Sequence, residues 1–284
     1  MAMRQLSHSE VVFKRIDGAA LRLYVWPSRR PAAPLLFVIH GGGWCGGDSL
    51  EDMEAFAPMA EALAAEGWAA ATVDYRLTGP DRAVRFDDLF GDVLDGLAFL
   101  CGHAGEYGVD PQRVIVAGGS AGGHLALMTG LAADAFRPGF PARVRLIVDL
   151  CGPADLLDLS GYADSPDLDD AKGMLTMLTG VPPVAPQAAV YRRVSPYFYV
   201  TPQSPPMLLV HGTADTLVPF SQSKKLAARC LEAGVPHCLI PVTYAWHDFQ
   251  SRIAGKNAAP ALDLALACAA EWARAFAEEG GAQA

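Results

Sequence analysis

The 284-residue sequence has no uncharged apolar run of membrane-spanning length, no tract of lysine or arginine and no cysteine pair at metal-binding spacing. Each absence removes a class of function. The alanine-rich stretches around 55–73 and 258–277 are interrupted by Glu, Asp or Arg before they could span a bilayer, so membrane insertion is not expected. Lysine plus arginine total 22 against 31 aspartate plus glutamate, a formal charge of −9. A nucleic-acid footprint needs an excess of the opposite sign. The cysteines (45, 101, 151, 230, 238 and 268) are scattered, and in a chain of this size they read as reduced thiols. Cys230, His237 and Cys238 cluster in sequence but lack a second ligand pair at short spacing, so neither a metal nor an organic cofactor is expected. The start, MAMRQLSHSEVVFKR, has no apolar signal-peptide core, and a cytoplasmic location is the expectation. Nothing in the sequence specifies an oligomeric state.

What is present suits a large α/β domain. Half of the residues (51%) are hydrophobic and 19% are charged, ample to offset the entropy of ordering. Apolar alternation over 9–15 and 20–26, joined at Asp17-Gly18, predicts a hairpin. Leu35-Leu36-Phe37-Val38-Ile39 is a continuous apolar run, the mark of a strand buried on both faces. A helix over about 51–66 follows, with Met53, Phe56, Ala60 and Leu63 on one stripe and Gly67 as its stop. Strands at 68–74, 113–117 and 144–150 alternate with helices at 87–100 and 121–133. After 204 the rhythm resumes with strand 206–211, helix 220–233, strand 237–242 and a last helix near 260–278. Alternation of this kind implies a mostly parallel sheet with helices on both faces and ligands beyond the carboxyl ends of the strands. Residues 152 to about 204 break the rhythm with prolines, aspartates and tyrosines. They read as an insertion covering one edge of the sheet within a single domain, being short for a core of their own.

Several strand ends carry chemistry. Gly118-Gly119-Ser120-Ala121-Gly122 follows the apolar strand and opens a helix, where small neighbours permit a sharp turn that lifts the serine hydroxyl out of the sheet. His40-Gly41-Gly42-Gly43-Trp44 ends strand 35–39, and its glycines can aim successive N–H groups at a developing oxyanion. It lacks the Gly-Lys-Ser/Thr ending of a phosphate loop and the spacing of a dinucleotide fingerprint. A serine nucleophile needs a base oriented by a carboxylate. Asp215 ends strand 206–211 and His247 follows the last strand, giving the order Ser, Asp, His. Asp74, Asp149 and Asp248 are rivals for the acid; His40 and His211 read as loop-orienting, and His124 as a buried structural histidine. Cys151 reads as packing.

With these motifs the chain closely resembles the α/β-hydrolase superfamily, in particular the HGGG-motif esterases and lipases. Ser120-Ala121-Gly122-Gly123-His124-Leu125-Ala126 and His211-Gly212-Thr213-Ala214-Asp215-Thr216-Leu217-Val218-Pro219 are similar to the branch containing arylformamidases and feruloyl or acetyl esterases. The resemblance runs from about residue 20 to the last helix. It implies a serine esterase with Ser120, Asp215 and His247 as triad, and with the N–H groups of Gly42, Gly43 and Ala121 as oxyanion hole. The implied partner is a small-molecule ester of short-to-medium acyl chain or small aromatic character. The alternatives are an amide-cleaving relative such as an arylformamidase and a non-catalytic ligand-binding protein. Trp44, Trp246 and Phe249 are the expected pocket aromatics. Two features depart from the lipase-like pattern: Gly119 stands where an acidic residue is common, and only strands precede His40, so a cap must come chiefly from 152–204.

Overall fold

A computed structural model describes residues 7–16, 18–162, 165–251 and 259–278. The described residues form an eight-stranded sheet in the order β1-β2-β4-β3-β5-β6-β7-β8. The strands are β1 (Ser9–Ile16), β2 (Ala19–Trp26), β3 (Ala33–Ile39), β4 (Ala69–Val73), β5 (Val109–Gly119), β6 (Val144–Leu150), β7 (Met207–Gly212) and β8 (His237–Val242). β1, β2 and β4 pair antiparallel, and from β4 to β8 every neighbouring pair is parallel. The expected hairpin joins β1 to β2, although Asp17 of its turn lies outside the described residues.

The helices are α1 (Ser49–Ala55), α2 (Ala57–Ala65), α3 (Phe86–Gly102), α4 (Ala104–Tyr107), α5 (Ala121–Phe136), α6 (Leu168–Thr179), α7 (Ala188–Arg193), α8 (Ser221–Ala233) and α9 (Ala259–Glu278). They cover both faces of the sheet. Alternate residues of β3 show why: Leu35, Phe37 and Ile39 join one buried layer with α3, α5 and α8, while Leu36 and Val38 join the other with α1, α2 and α9. A strand apolar at every position needs both layers to leave water.

One expected element divides. The stripe of Met53, Phe56, Ala60 and Leu63 is buried as its spacing requires, but the helix breaks at Phe56. Pro58 sits in the first turn of α2. Its ring would clash with the carbonyl four residues back and it has no N–H to donate, so the chain restarts the helix there. The end comes where Gly67 predicts it: Gly67 N–H bonds to Ala64 O and Trp68 N–H to Leu63 O, the paired bonds of a left-handed glycine stop.

Segment 152–204 holds α6, α7 and short 3₁₀ turns. Leu178, Tyr191, Val194 and Val200 belong to the same buried layer as α3 and α5. Register does the rest of the positioning. Ile39 lies opposite Gly118, Gly118 opposite Asp149, and Asp149 opposite Leu209, so β3, β5, β6 and β7 finish on one rim. Among the described residues, no helix is long and apolar enough to cross a membrane.

Candidate active site

β5 runs straight into α5 through Ser120, whose φ of 55° and ψ of −122° are unusual for a residue with a side chain. Such a conformation is costly and persists only where surrounding contacts impose it. Here the glycines let backbones touch. A Cβ on Gly122 would meet the main chain of Ile39 and His40, and one on Gly118 would meet Gly122. The turn is pinned by Ser120 N–H donating to Leu150 O at 2.8 Å and by His124 N–H donating to Ser120 O at 3.0 Å.

The three residues named from the sequence meet at this rim. Ser120 Oγ lies 2.8 Å from His247 Nε2, and His247 Nδ1 lies 2.7 Å from Asp215 Oδ2. The other oxygen of Asp215 accepts from Leu217 N–H at 3.0 Å and Val218 N–H at 2.9 Å, which fixes the carboxylate plane. With Nδ1–H directed at Asp215, Nε2 is free to accept the serine proton. Burial pushes the Asp215 carboxyl up, but the His211 and His247 imidazoles against it outweigh burial and hold the group below the ordinary carboxylate value. For His247, burial favours the neutral ring; the Cys151 sulfur and the Asp215 carboxylate oppose it and leave the imidazole above its ordinary value.

The rival residues have other work. Asp74 accepts from Ser49 Oγ and Arg22 N–H. Asp149 is buried beneath the elbow, accepting from Gly152 N–H at 2.9 Å. His211 lies against Asp215 Oδ2 at 3.3 Å; its Nε2–H donates to Val218 O at 2.8 Å while Nδ1 accepts from Ser223 Oγ at 2.7 Å. His124 is buried with Nε2–H on Val194 O at 2.8 Å, and burial pushes its pKa down to about 4, so it stays neutral.

The glycine loop is held from behind. Asp52 on α1 accepts from Gly41 N–H, and Tyr75 donates to His40 O at 2.8 Å while its ring stacks on the His40 imidazole. Gly42 O accepts from Cys45 and Gly46 N–H, closing a tight turn in which Gly42 and Gly43 both have positive φ. Among the described residues no acceptor takes the N–H of Gly42 or Gly43. Ala121 opens α5, so no preceding turn supplies a carbonyl for its N–H. Asp52 and Tyr75 were not singled out by the sequence reading. Their distance from the loop in the chain hides a role that only the packing of α1 and the segment after β4 creates.

Gly42, Gly43, Ala121, Ser120 and His247 all line one cavity of about 510 Å³. Its wall is chiefly apolar: Trp44 and Phe56, then Leu156, Met174 and Leu175 from 152–204, and Leu217 and Phe249 from the loops. Trp44 and Phe249, two of the expected pocket aromatics, line this wall, and Trp246 does not. A partly buried indole N–H requires an acceptor, and that of Trp246 is directed to Thr216 Oγ1 at 2.7 Å. Cys151, Asp215 and His247 hold ligand-bearing atoms within 4.8 Å of one another. Two of these are already bonded within the Ser120 line.

Residues 21–230 match the BD-FAE family. The chain belongs to this family. The match includes Ser120 and Asp215 and stops short of His247, whose place rests on the geometry above. Among curated relatives of this BD-FAE chain, a probable carboxylic ester hydrolase, LipM, of Mycobacterium tuberculosis is 32% identical, covering 73% of this chain and 48% of that protein. Esterase LipC of the same organism is 29% identical, over 79% and 56% respectively. The chain thus spans about half the length of these relatives. A solved structure of a thermophilic esterase from Thermogutta terrifontis, Est2 with butyrate bound, is 30% identical with a TM-score of 0.70, over 96% of this chain and 94% of that one. A second Est2 structure, phosphorylated by paraoxon, is 28% identical with a TM-score of 0.70, over 93% and 92%. The architecture is the α/β-hydrolase fold.

Proposed function

We propose that this protein is a serine hydrolase of carboxylic esters with short-to-medium acyl chains or small aromatic groups, working through an acyl-enzyme. The observation that carries this reading is the unbroken line Asp215–His247–Ser120, with bonds of 2.7 and 2.8 Å, at the mouth of an apolar cavity.

In this reading Ser120 Oγ attacks the ester carbonyl as its proton passes to His247 Nε2. Asp215 keeps the ring in the required tautomer and stabilises the imidazolium. The carbonyl oxygen, now negative, is received by the N–H groups of Gly42, Gly43 and Ala121, which are preorganised rather than recruited. His247 then gives its proton to the leaving alcohol. Water repeats the sequence on the acyl-enzyme and restores Ser120. No step needs a metal or an organic cofactor.

A short acyl group is supported by the likeness to Est2, whose structures hold butyrate and propionate, and the apolar cavity has room for a medium chain or a small aromatic group as well. We read segment 152–204 as the cap of a single hydrolase domain, since it walls the cavity yet shares the main core. The formamide-cleaving alternative is disfavoured by relatives named for ester cleavage. Unpaired cysteines support a cytoplasmic location.

The test is hydrolysis of p-nitrophenyl butyrate, with fluorophosphonate labelling of the protein. Ser120→Ala is expected to lower turnover by about 10⁴-fold or more and to abolish labelling while leaving the thermal transition in place. Near-normal turnover in the folded variant would overturn the reading.

A further inference from the structure

Thr216 directly follows the proposed acid, and its side chain and carbonyl are both engaged by other segments. The indole N–H of Trp246, the residue before His247, donates to Thr216 Oγ1 at 2.7 Å. The same hydroxyl donates to Asp167 Oδ2 at 2.6 Å. Asp167 is the residue at which α6 begins. The Thr216 carbonyl accepts from Ser165 Oγ at 2.7 Å, and that oxygen accepts from Asp167 N–H at 3.1 Å.

A hydroxyl has one hydrogen and two lone pairs. Asp167 can only accept and the indole can only donate, so the two bonds use opposite ends of the Thr216 hydroxyl and exist together. One oxygen therefore joins three separate segments: the loop after β7, the loop after β8 and the start of α6. The first two carry Asp215 and His247. The third presents Ala171, Met174 and Leu175 to the cavity.

We propose that Thr216 is a positioning residue that locks the start of α6 to the acid- and base-bearing loops, so that the cavity roof and the seating of His247 are set as a unit. The proposal rests on the serine-hydrolase reading for its kinetic consequence and is independent of it for its structural one. A side chain that merely filled space would be replaced by valine with little effect, because valine keeps the β-branched shape and puts a methyl where the hydroxyl was.

The experiment compares wild type with Thr216→Val, Thr216→Ser, Asp167→Ala and the double variant Thr216→Val/Asp167→Ala. Two readouts are taken: kcat and KM on p-nitrophenyl butyrate, and amide hydrogen exchange in 168–179 and 244–250. Thr216→Val is expected to lower kcat by about tenfold, as small misplacements of a catalytic group do. Exchange should rise in both segments together. Thr216→Ser should restore both readouts. The double variant should exchange in 168–179 no faster than Thr216→Val alone, the mark of residues acting through one bond. Wild-type behaviour in Thr216→Val, exchange rising in only one segment, or additive effects in the double variant would each overturn the proposal. Should Thr216→Val fail to fold, Asp167→Ala reads the link from its other side by the same exchange. A wild-type protein that neither turns over ester nor takes the fluorophosphonate would defeat the hydrolase reading, while the exchange measurements would still decide the role of Thr216.

Discussion

The rim that carries Ser120 and the cavity-lining segment 152–204, which we read as its roof, are held in place by different means. On the rim, each key residue stands shortly after a parallel strand, β5 and β7 from the buried middle of the sheet and β8 from its edge, and main-chain pairing sets its height. Ser120 is tied to β6, and Asp215 is fixed by the N–H groups of its own loop. The roof has no strand to inherit position from. It shares the buried layer through Leu178, Tyr191 and Val194, and polar side chains tie down its loops. Gln222 on α8 accepts from Ala154 and Asp155 N–H and donates to the carbonyls of Asp155 and Asp158. Ser195 accepts from Leu156 N–H and donates to Tyr191 O, and Lys225 pairs with Asp155 and Asp158. The difference is instructive. In the proposed reading, a chemistry that tolerates little displacement is placed on the sheet, whereas the surface that would sort substrates is placed by side-chain packing and polar contacts.

The rim is the place to look for the largest effect. Asp215→Asn keeps the shape of the acid but reverses its bond: the amide can donate to His247 Nδ1, which drives the ring proton to Nε2, where it faces Ser120 and cannot accept. Turnover of p-nitrophenyl butyrate is expected to fall by about 10³- to 10⁴-fold with little change in KM. The pH profile gives a second reading. Only the neutral imidazole serves as base, and in wild type the ring sits above its ordinary value, so kcat/KM should climb with pH along a limb displaced to the alkaline side. Loss of the Asp215 charge removes one of the influences that raise it. The limb of the residual activity should therefore move to lower pH. An unmoved limb would mean that Asp215 does not set the charge of His247.

Beneath the rim, Asp149 offers an effect of intermediate size. Burial pushes its carboxyl up to about 8, against the bond from Gly152 N–H, and among the described residues its second oxygen has no hydrogen-bond partner. In the unfolded chain the group releases its proton near the ordinary value of about 3.9. The native state keeps that proton to about 8. Across this window the unfolded state holds fewer protons, so stability falls as pH rises, by about 1.4 kcal/mol per pH unit at most, and levels off above it. Asp149→Asn removes this titration. Urea midpoints measured from pH 4 to 9 should show a flatter dependence in the variant; parallel curves would show that Asp149 does not keep its proton.

The sequence made the rim legible and the roof obscure for physical reasons. Apolar runs such as Leu35 to Ile39 fix strands, strands fix a common rim, and glycines flanking Ser120 mark a turn where backbones must touch. The order of Ser120, Asp215 and His247 follows from that frame. By contrast, the direction of Trp246 depends on an acceptor, Thr216, thirty positions away (the two meet across neighbouring loops), and no periodicity reports it. Asp52 is hidden in the same way, because its role exists only once α1 lies against the glycine loop. The break between α1 and α2, however, is written in the sequence, since Pro58 lies inside the helical stripe.

The smallest expected effect separates roof from rim most sharply. Met174 projects from α6 into the cavity, and its sulfur lies so close to Gly43 that a Cβ there would meet it at 2.5 Å. A flexible thioether at this position limits the space beside the glycine loop without bonding to it. Met174→Ala should enlarge that space and leave the Ser120–His247–Asp215 line intact. Across p-nitrophenyl acetate, butyrate and octanoate, the ratio of kcat/KM for the longest to the shortest ester is expected to rise by about threefold to tenfold, at or below the low end of what one methylene admitted to an apolar pocket is worth. Turnover of the acetate should change little. An equal loss on all three esters would mean that Met174 supports the glycine loop itself, and the division between a rim that reacts and a roof that selects would not hold at that point of contact.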